Sequence, residues 1–155
     1  MPTAWRVVRE AWKESAFDGE GARLAPGRWN GRGVAMIYTA QSRSLASLEA
    51  LLNFEGSERR HLPTCVLYEV HFADHLVEIL DARCLPRDWD SFPAPSSTRA
   101  LGDRWVAEAR SVVLRVPTVV THGEHNFLLN PLHPDFGRIE IRPAEPFRWD
   151  PRVTL

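Results

Sequence analysis

Apolar positions along the chain fall into short β-type runs, with two stretches of helical period between them. Thr3 to Val8 is rich in β-branched and aromatic residues and predicts a first strand. The segment that follows, up to Asn30, is rich in Gly, Ala, Pro and polar residues without a sustained period. Long loops inside compact domains are more often binding segments than idle connections, so Phe17 to Gly33 is a candidate ligand cradle. Val34 to Thr39 predicts a strand carrying Tyr38 near its end. Ser42 or Ser44 can cap a helix running to about Phe54, with Leu45, Leu48 and Leu52 at helical spacing and Glu49 on the flank of that stripe.

Thr64 to His71 and His75 to Leu80 read as two further strands around the turn-prone Ala73-Asp74 pair. Pro86, Pro93 and Pro95 mark an irregular stretch. A second helix is expected from Ser97 or Thr98, with Leu101, Trp105 and Ala109 at i+4 spacing. Val112 to Val116 and Thr118 to His122 predict a strand pair, or one strand interrupted at Pro117, and Phe136 to Arg142 a last strand. Strands outnumber helices and do not alternate with them regularly, which predicts an α+β domain with a mixed sheet and few helices rather than a doubly wound fold. The 155 residues suit one domain spanning the whole chain.

Composition adds exclusions. Hydrophobic residues at 44% and charged residues at 25% are ordinary globular values, and no long apolar run or leader pattern is present, so a cytoplasmic protein without a membrane span is expected. A net charge of -1, with signs interleaved along the chain, leaves no basic face for neutralising many phosphates, so direct nucleic-acid binding is not expected. Basic density rises only between Arg23 and Arg43, which suits a small anionic ligand. Cys65 and Cys84 lack metal or redox spacing and read as structural thiols. Neither a G-x-G-x-x-G fingerprint nor a P-loop is present, and no Gly-x-Ser-x-Gly elbow, so a nucleotide would have to bind in some other way. His122, Glu124, His125 and His133 imitate a metal site, but Gly123 interrupts the segment and the i, i+4 helical geometry is missing; no metal is expected.

Three residues carry candidate chemistry. Arg28 stands between Gly27 and Trp29-Asn30: a guanidinium fork for phosphate oxygens, a glycine that admits close backbone approach, and an indole that could stack. Taken alone, it reads sooner as a surface arginine beside a core tryptophan in an ordinary turn. Tyr38 offers a ring and a hydroxyl to a flat heterocycle, or simply packs. Glu49 on a buried helix flank needs compensation, from a functional site or from a partner such as Arg43. Together they suit cleavage of an N-glycosidic bond to a cationic base, where a carboxylate stabilises an oxocarbenium-like transition state and the charged leaving group needs no metal.

The order of these segments resembles the RES domain family, the toxins of bacterial toxin–antitoxin pairs. The likeness rests on Trp5-Arg6, Gly21-Ala22, Gly27 to Asn30, Val34 to Thr39, Leu45 to Glu49, Leu101 to Trp105, Val116-Pro117-Thr118, Asn126 to Pro131 and His133-Pro134. It implies an ADP-ribosyltransferase-like fold, NAD⁺ as a substrate with water or phosphate as acceptor, and an Xre-like antitoxin as partner. By position it makes Arg28, Tyr38 and Glu49 the catalytic set, with Arg6, Gly27, Trp29, Asn30, Thr118 and Asn126 binding substrate. Thr118 stands where the family has Ser, and Ala25-Pro26-Gly27 where a Gly-Gly pair is usual. A protein ADP-ribosyltransferase and a non-catalytic nucleotide-binding module are the alternatives on this scaffold.

Overall fold

Alternation in Thr3–Arg9 builds strand β1, burying Ala4 and Val8 on one side and turning Trp5 and Val7 to the other. In the computed structural model, which describes residues 1–154, β1 lies within a curled sheet of eight strands. The others are β2 (Ile37–Ala40), β3 (Cys65–His71), β4 (Val77–Ile79), β5 (Val113–Pro117), β6 (His125–Leu129), β7 (Glu140–Ile141) and β8 (Glu145–Phe147). Their order is β4-β5-β6-β2-β1-β3-β7, with β8 also on β3. All pairs are antiparallel except β4 with β5. Helices α1 (Glu20–Leu24), α2 (Arg43–Asn53) and α3 (Ser96–Glu108) complete the expected α+β architecture.

The two faces of the sheet carry separate cores. On one, Ala4, Ile37, Val70, Val113, Phe127 and Leu129 pack with Phe72, Leu76 and Ile139. On the other, Leu114, Val116 and Leu128 pack with Trp29, Met36 and Trp105. Trp105 is fully enclosed and its indole N–H donates to Ser111 Oγ at 2.8 Å, so its one polar atom is satisfied. β1 pairs with β3 along its whole length but meets β2 only at Trp5↔Ala40. Beyond that point the ladder is replaced by a side chain: Arg6 Nη1 donates to the Tyr38 carbonyl at 2.8 Å and Nε to the Ala16 carbonyl at 2.9 Å.

Several elements depart from the sequence pattern, each for a local reason. The loop before β2 is ordered by a 3-10 turn at Glu10–Ser15 and by α1, and β2 starts only at Ile37, after Gly33 adopts a left-handed φ of 92°. α2 is capped by Ser42, whose side chain accepts from Leu45 N, but its inward face is not Leu45-Leu48-Leu52. At about 100° per residue, Glu49 lies between Leu45 and Ala46 around the helix axis. Leu45 and Ala46 are buried, whereas Leu48 and Leu52 are 36% and 50% exposed. α3 likewise buries Thr98, Gly102 and Trp105, and Ala109 closes it in the left-handed region at φ 49°. Thr118 to His122 is not a strand. The chain turns there, with Gly123 at φ 96°, and returns as β6, whose apolar residues the histidine pattern had masked. Phe136–Arg138 is a 3-10 turn, so the last predicted strand shrinks to β7, and Pro143 separates it from β8.

Candidate active site

Residues 25–33 leave α1 and cross the α3 face of the sheet, and Asn30 holds them there. It is 0% exposed. Its Oδ1 accepts from Gly27 N at 2.9 Å and from the Tyr38 hydroxyl at 2.6 Å, while Nδ2 donates to the Ala22 carbonyl at 2.7 Å and the Val34 carbonyl at 3.2 Å. The Tyr38 hydroxyl in turn accepts from Trp29 N at 3.0 Å. Gly27 is required by contact: a Cβ there would sit 2.6 Å from the Tyr38 hydroxyl oxygen.

α3 clamps the same loop from its outer side at successive residues. Arg99 Nε donates to the Gly27 carbonyl at 3.1 Å, and Thr98 Oγ1 to the Arg28 carbonyl at 2.7 Å. Gly102 lies directly against Trp29, where a Cβ would come within 1.6 Å of the carbonyl oxygen. Asp103 Oδ1 accepts from Gly31 N at 2.8 Å. Sequence reading missed Thr98 and Arg99 and gave Asp103 no role. The signal was present in the small–small–large spacing of Thr98, Gly102 and Trp105, which permits close approach of a helix to backbone.

Arg28 projects from this clamped loop. Its Nη1 donates to the carbonyls of Trp89 (3.0 Å) and Ser91 (2.7 Å), so the proline-marked stretch 86–95 covers it. Burial pulls the Arg28 guanidinium below its ordinary range; Asp90, Glu49 and Tyr38 oppose that shift and Arg99 adds to it. Glu49 and Tyr38 therefore each lie within electrostatic reach of Arg28. Burial also drives the Tyr38 phenol well above its usual range, partly offset by the hydrogen bond from Trp29.

Glu49 does not pair with Arg43, which lies over the Trp5 ring and 3.6 Å from Glu145. Its Oε1 accepts from Thr118 Oγ1 at 2.9 Å. Because Val120 N donates to the same Thr118 oxygen at 3.1 Å, the hydroxyl proton is directed at the carboxylate. Thr118 is 2% exposed, so its methyl group sits inside the wall. Asn126, in register with Ala40 and Val116, donates to the Thr39 carbonyl at 3.2 Å.

Other candidates are placed differently. Trp29 is 2% exposed within the core and offers no open face for stacking. Asn30 has its amide occupied by the loop. Arg6 sits among Ala16, Phe17, Asp18 and Tyr68, on the side of the sheet away from the Tyr38 ring; burial lowers it to about 10, so it stays charged at neutral pH. Two surface hollows, of about 450 and 220 Å³, lie beside Arg9, Trp12 and Thr64 and beside Lys13, Cys65 and Phe147, apart from all these residues. Among the described residues no helix is long and apolar enough to cross a membrane. The histidines of the metal-like segment have other contacts, His125 with Gln41 and His133 with the Ala109 carbonyl.

Comparison with known proteins adds independent findings. A family model described as the RES domain matches residues 3–150. The chain is 36% identical to the "Prs ADP-ribosylating toxin" of Sphingobium sp. (strain YBL2), covering 96% of this chain and 94% of that protein. It is 35% identical to a "Toxin Res" of Yersinia enterocolitica, covering 96% and 97% of the two chains. Its fold is similar to a chain of the Mycobacterium tuberculosis MbcT–MbcA toxin–antitoxin complex, with a TM-score of 0.76, 20% identity, and coverage of 94% of this chain and 84% of the other.

Proposed function

The chain belongs to the RES domain family, and from that premise we propose that it is the toxin of a toxin–antitoxin pair that breaks the nicotinamide–ribose bond of NAD⁺. The supporting observation is the Glu49 carboxylate, held by a directed Thr118 hydroxyl at 2.9 Å within electrostatic reach of Arg28, which also acts on Tyr38. In this reaction the C–N bond to the ribose breaks and the electron pair leaves with neutral nicotinamide. An acceptor oxygen, from water or phosphate, forms the new bond to the anomeric carbon and releases its proton. Glu49 stabilises the oxocarbenium-like charge or orients the nucleophile, and Arg28 grips the pyrophosphate. Tyr38 lines the nicotinamide side with its ring, its hydroxyl being taken up by Asn30 and Trp29. Gly27 and Asn30 shape the cradle, and Asn126 adds an amide from the opposite wall. No metal takes part.

A second reading has its own support, because the Sphingobium relative is named an ADP-ribosylating toxin. On that reading the acceptor is a protein side chain and the same residues act on the same bond. An Xre-like antitoxin covering the site is the proposed partner, in the cytoplasm. The test is NAD⁺ consumption by the purified chain, with and without inorganic phosphate, alongside label transfer from NAD⁺ to protein. Glu49→Gln should abolish turnover with the fold intact. An NAD⁺ level that stays constant in every incubation, with no labelled protein, would remove the proposal.

A further inference from the structure

Among the described residues two enclosed side-chain nitrogens have no hydrogen-bond partner, Nε of Arg115 and Nε1 of Trp149. The indole is neutral, whereas the guanidinium is charged, and an unpaired buried donor on a charged group is the costlier of the two. Arg115 is half-buried on β5, in a row that runs Ile79–Arg115–Phe127 across β4, β5 and β6, so both cross-strand neighbours are apolar. Alternation puts it with Val113 on the face of the sheet turned away from α2 and α3. Among the described residues no carboxylate lies within salt-bridge distance of it, whereas Arg9, Arg23, Arg43 and Arg110 each have one.

The next row on this face pairs Pro117 with His125, which sets the imidazole diagonal to Arg115. Gln41 Oε1 accepts from His125 N at 2.7 Å and lies 3.2 Å from Nδ1, so Nδ1 carries the ring proton. Nε2 has no partner among the described residues and is a bare lone pair until the ring gains a second proton. Burial and the Arg115 charge both oppose that gain. Nearby carboxylates are engaged elsewhere: Glu78 with Arg110, Glu124 with the Thr121 hydroxyl, and Asp74 beside the Met1 ammonium, while Arg6 holds the Ala16 and Tyr38 carbonyls. A guanidinium fork and a protonated imidazole present two positive charges, which match a multiply charged phosphate better than a carboxylate. We propose that Arg115 and His125 form an accessory phosphate-binding site on the sheet face opposite Glu49, the fork taking two oxygens and protonated His125 donating to a third from Nε2. Only Val116 and Pro117 separate this site from Thr118 along the chain. The proposal stands or falls independently of NAD⁺ cleavage.

The test follows the His125 ring protons by NMR through a pH titration, in inorganic phosphate, acetate or chloride at one ionic strength. His125→Gln assigns the signal among the six histidines. In the wild type, phosphate should raise the His125 midpoint toward 6.5, while chloride and acetate leave it lower, because an anion seated on Arg115 neutralises the charge that depresses the ring. Arg115→Gln should start with a midpoint nearer 6.5 and lose the phosphate response. Arg115→Lys keeps the charge without the fork, so it should hold the low midpoint and need roughly tenfold more phosphate, and it carries the test where Arg115→Gln does not fold. Equal shifts in phosphate and chloride would show screening alone and overturn the site. A full shift in acetate would overturn the choice of phosphate. An undiminished response in both Arg115 variants would overturn the proposal, as would a wild-type midpoint that phosphate leaves unmoved, the result expected when phosphate binds only at Arg28 on the other face.

Discussion

Replacing Asn30 by Ala removes the one side chain that ties the 25–33 loop to both α1 and β2. Three close partners lose their match: the Tyr38 hydroxyl (2.6 Å), the Ala22 carbonyl (2.7 Å) and Gly27 N (2.9 Å). Each buried group left unpaired costs about 1–3 kcal/mol, and a water entering the vacated volume would restore part of the loss, so a net cost of about 3–4 kcal/mol is expected. For a chain of this size that corresponds to a fall in Tm of roughly 10 °C. Urea unfolding followed by circular dichroism measures the free energy directly.

Asn30→Asp isolates the donor half of the network. It keeps an acceptor for Gly27 N and the Tyr38 hydroxyl but sets a second oxygen against the Ala22 carbonyl. Only a protonated carboxyl can donate there, so folding raises that group's pKa above its unfolded value. The sign follows: the folded state binds more protons, so stability is retained below about pH 3.9, the unfolded value, and declines as the pH rises through the folded one. A loss under about 1 kcal/mol in Asn30→Ala, or a flat pH profile in Asn30→Asp, would refute the assignment of Asn30 as the hub, given the cost of unpaired buried groups.

Further expectations concern single contacts. Gly102→Ala should destabilise severely or yield insoluble protein, because its Cβ would meet the Trp29 carbonyl at 1.6 Å, whereas Gly21→Ala in α1 meets nothing and should stabilise by about 0.5–1 kcal/mol in thermal melts. On the catalytic reading, Thr118→Ser should keep NAD⁺ turnover, whereas Thr118→Val should lose roughly 10–100-fold in kcat and lower Tm by a few degrees, since it can neither donate to Glu49 nor accept from Val120 N. His125 is held below its ordinary value of 6.5 by burial and by the Arg115 charge. The unfolded state therefore binds more protons in that window, and stability should fall as the pH drops through 6.5; His125→Gln should flatten that limb of the urea profile.

Elements whose periodicity reports packing directly were legible in the sequence. β1 and β3 lie close to their predicted bounds and α2 starts at its predicted Ser42 cap, because strand pairing and capping are imposed by immediate neighbours. What misled was chemistry overlaid on packing. His125 and Asn126 drew attention away from Phe127-Leu128-Leu129, a fully buried strand with no alternation to display. Leu48 and Leu52 looked like core because apolar residues at helical spacing usually are, yet the inward arc of α2 is built around Glu49. In the candidate site, Glu49, Tyr38 and Arg28 were proposed from residue type, order and the family resemblance. The clamp by Thr98, Arg99, Gly102 and Asp103 was not, since the spacing of Thr98, Gly102 and Trp105 marks a helix that can approach backbone closely but not the loop about seventy positions away that it meets.

Glu49 was the stronger anomaly in the sequence and Tyr38 the weaker, and the geometry divides them further. A phenol whose hydroxyl donates to Asn30, accepts from Trp29 N and is pushed far above its normal range is a poor proton carrier at neutral pH. Tyr38 therefore fixes the loop that presents Arg28, and its ring alone is left to face a ligand. Glu49 is the reverse case: only one oxygen is anchored, by a hydroxyl whose own direction is set by Val120 N. The carboxylate is oriented without being saturated, leaving acceptor capacity on Oε2. On the catalytic reading, the positional work and the charge work thus fall on different residues: Tyr38 ties down the loop that α3 and α1 also hold, and Glu49 keeps an oxygen free for chemistry.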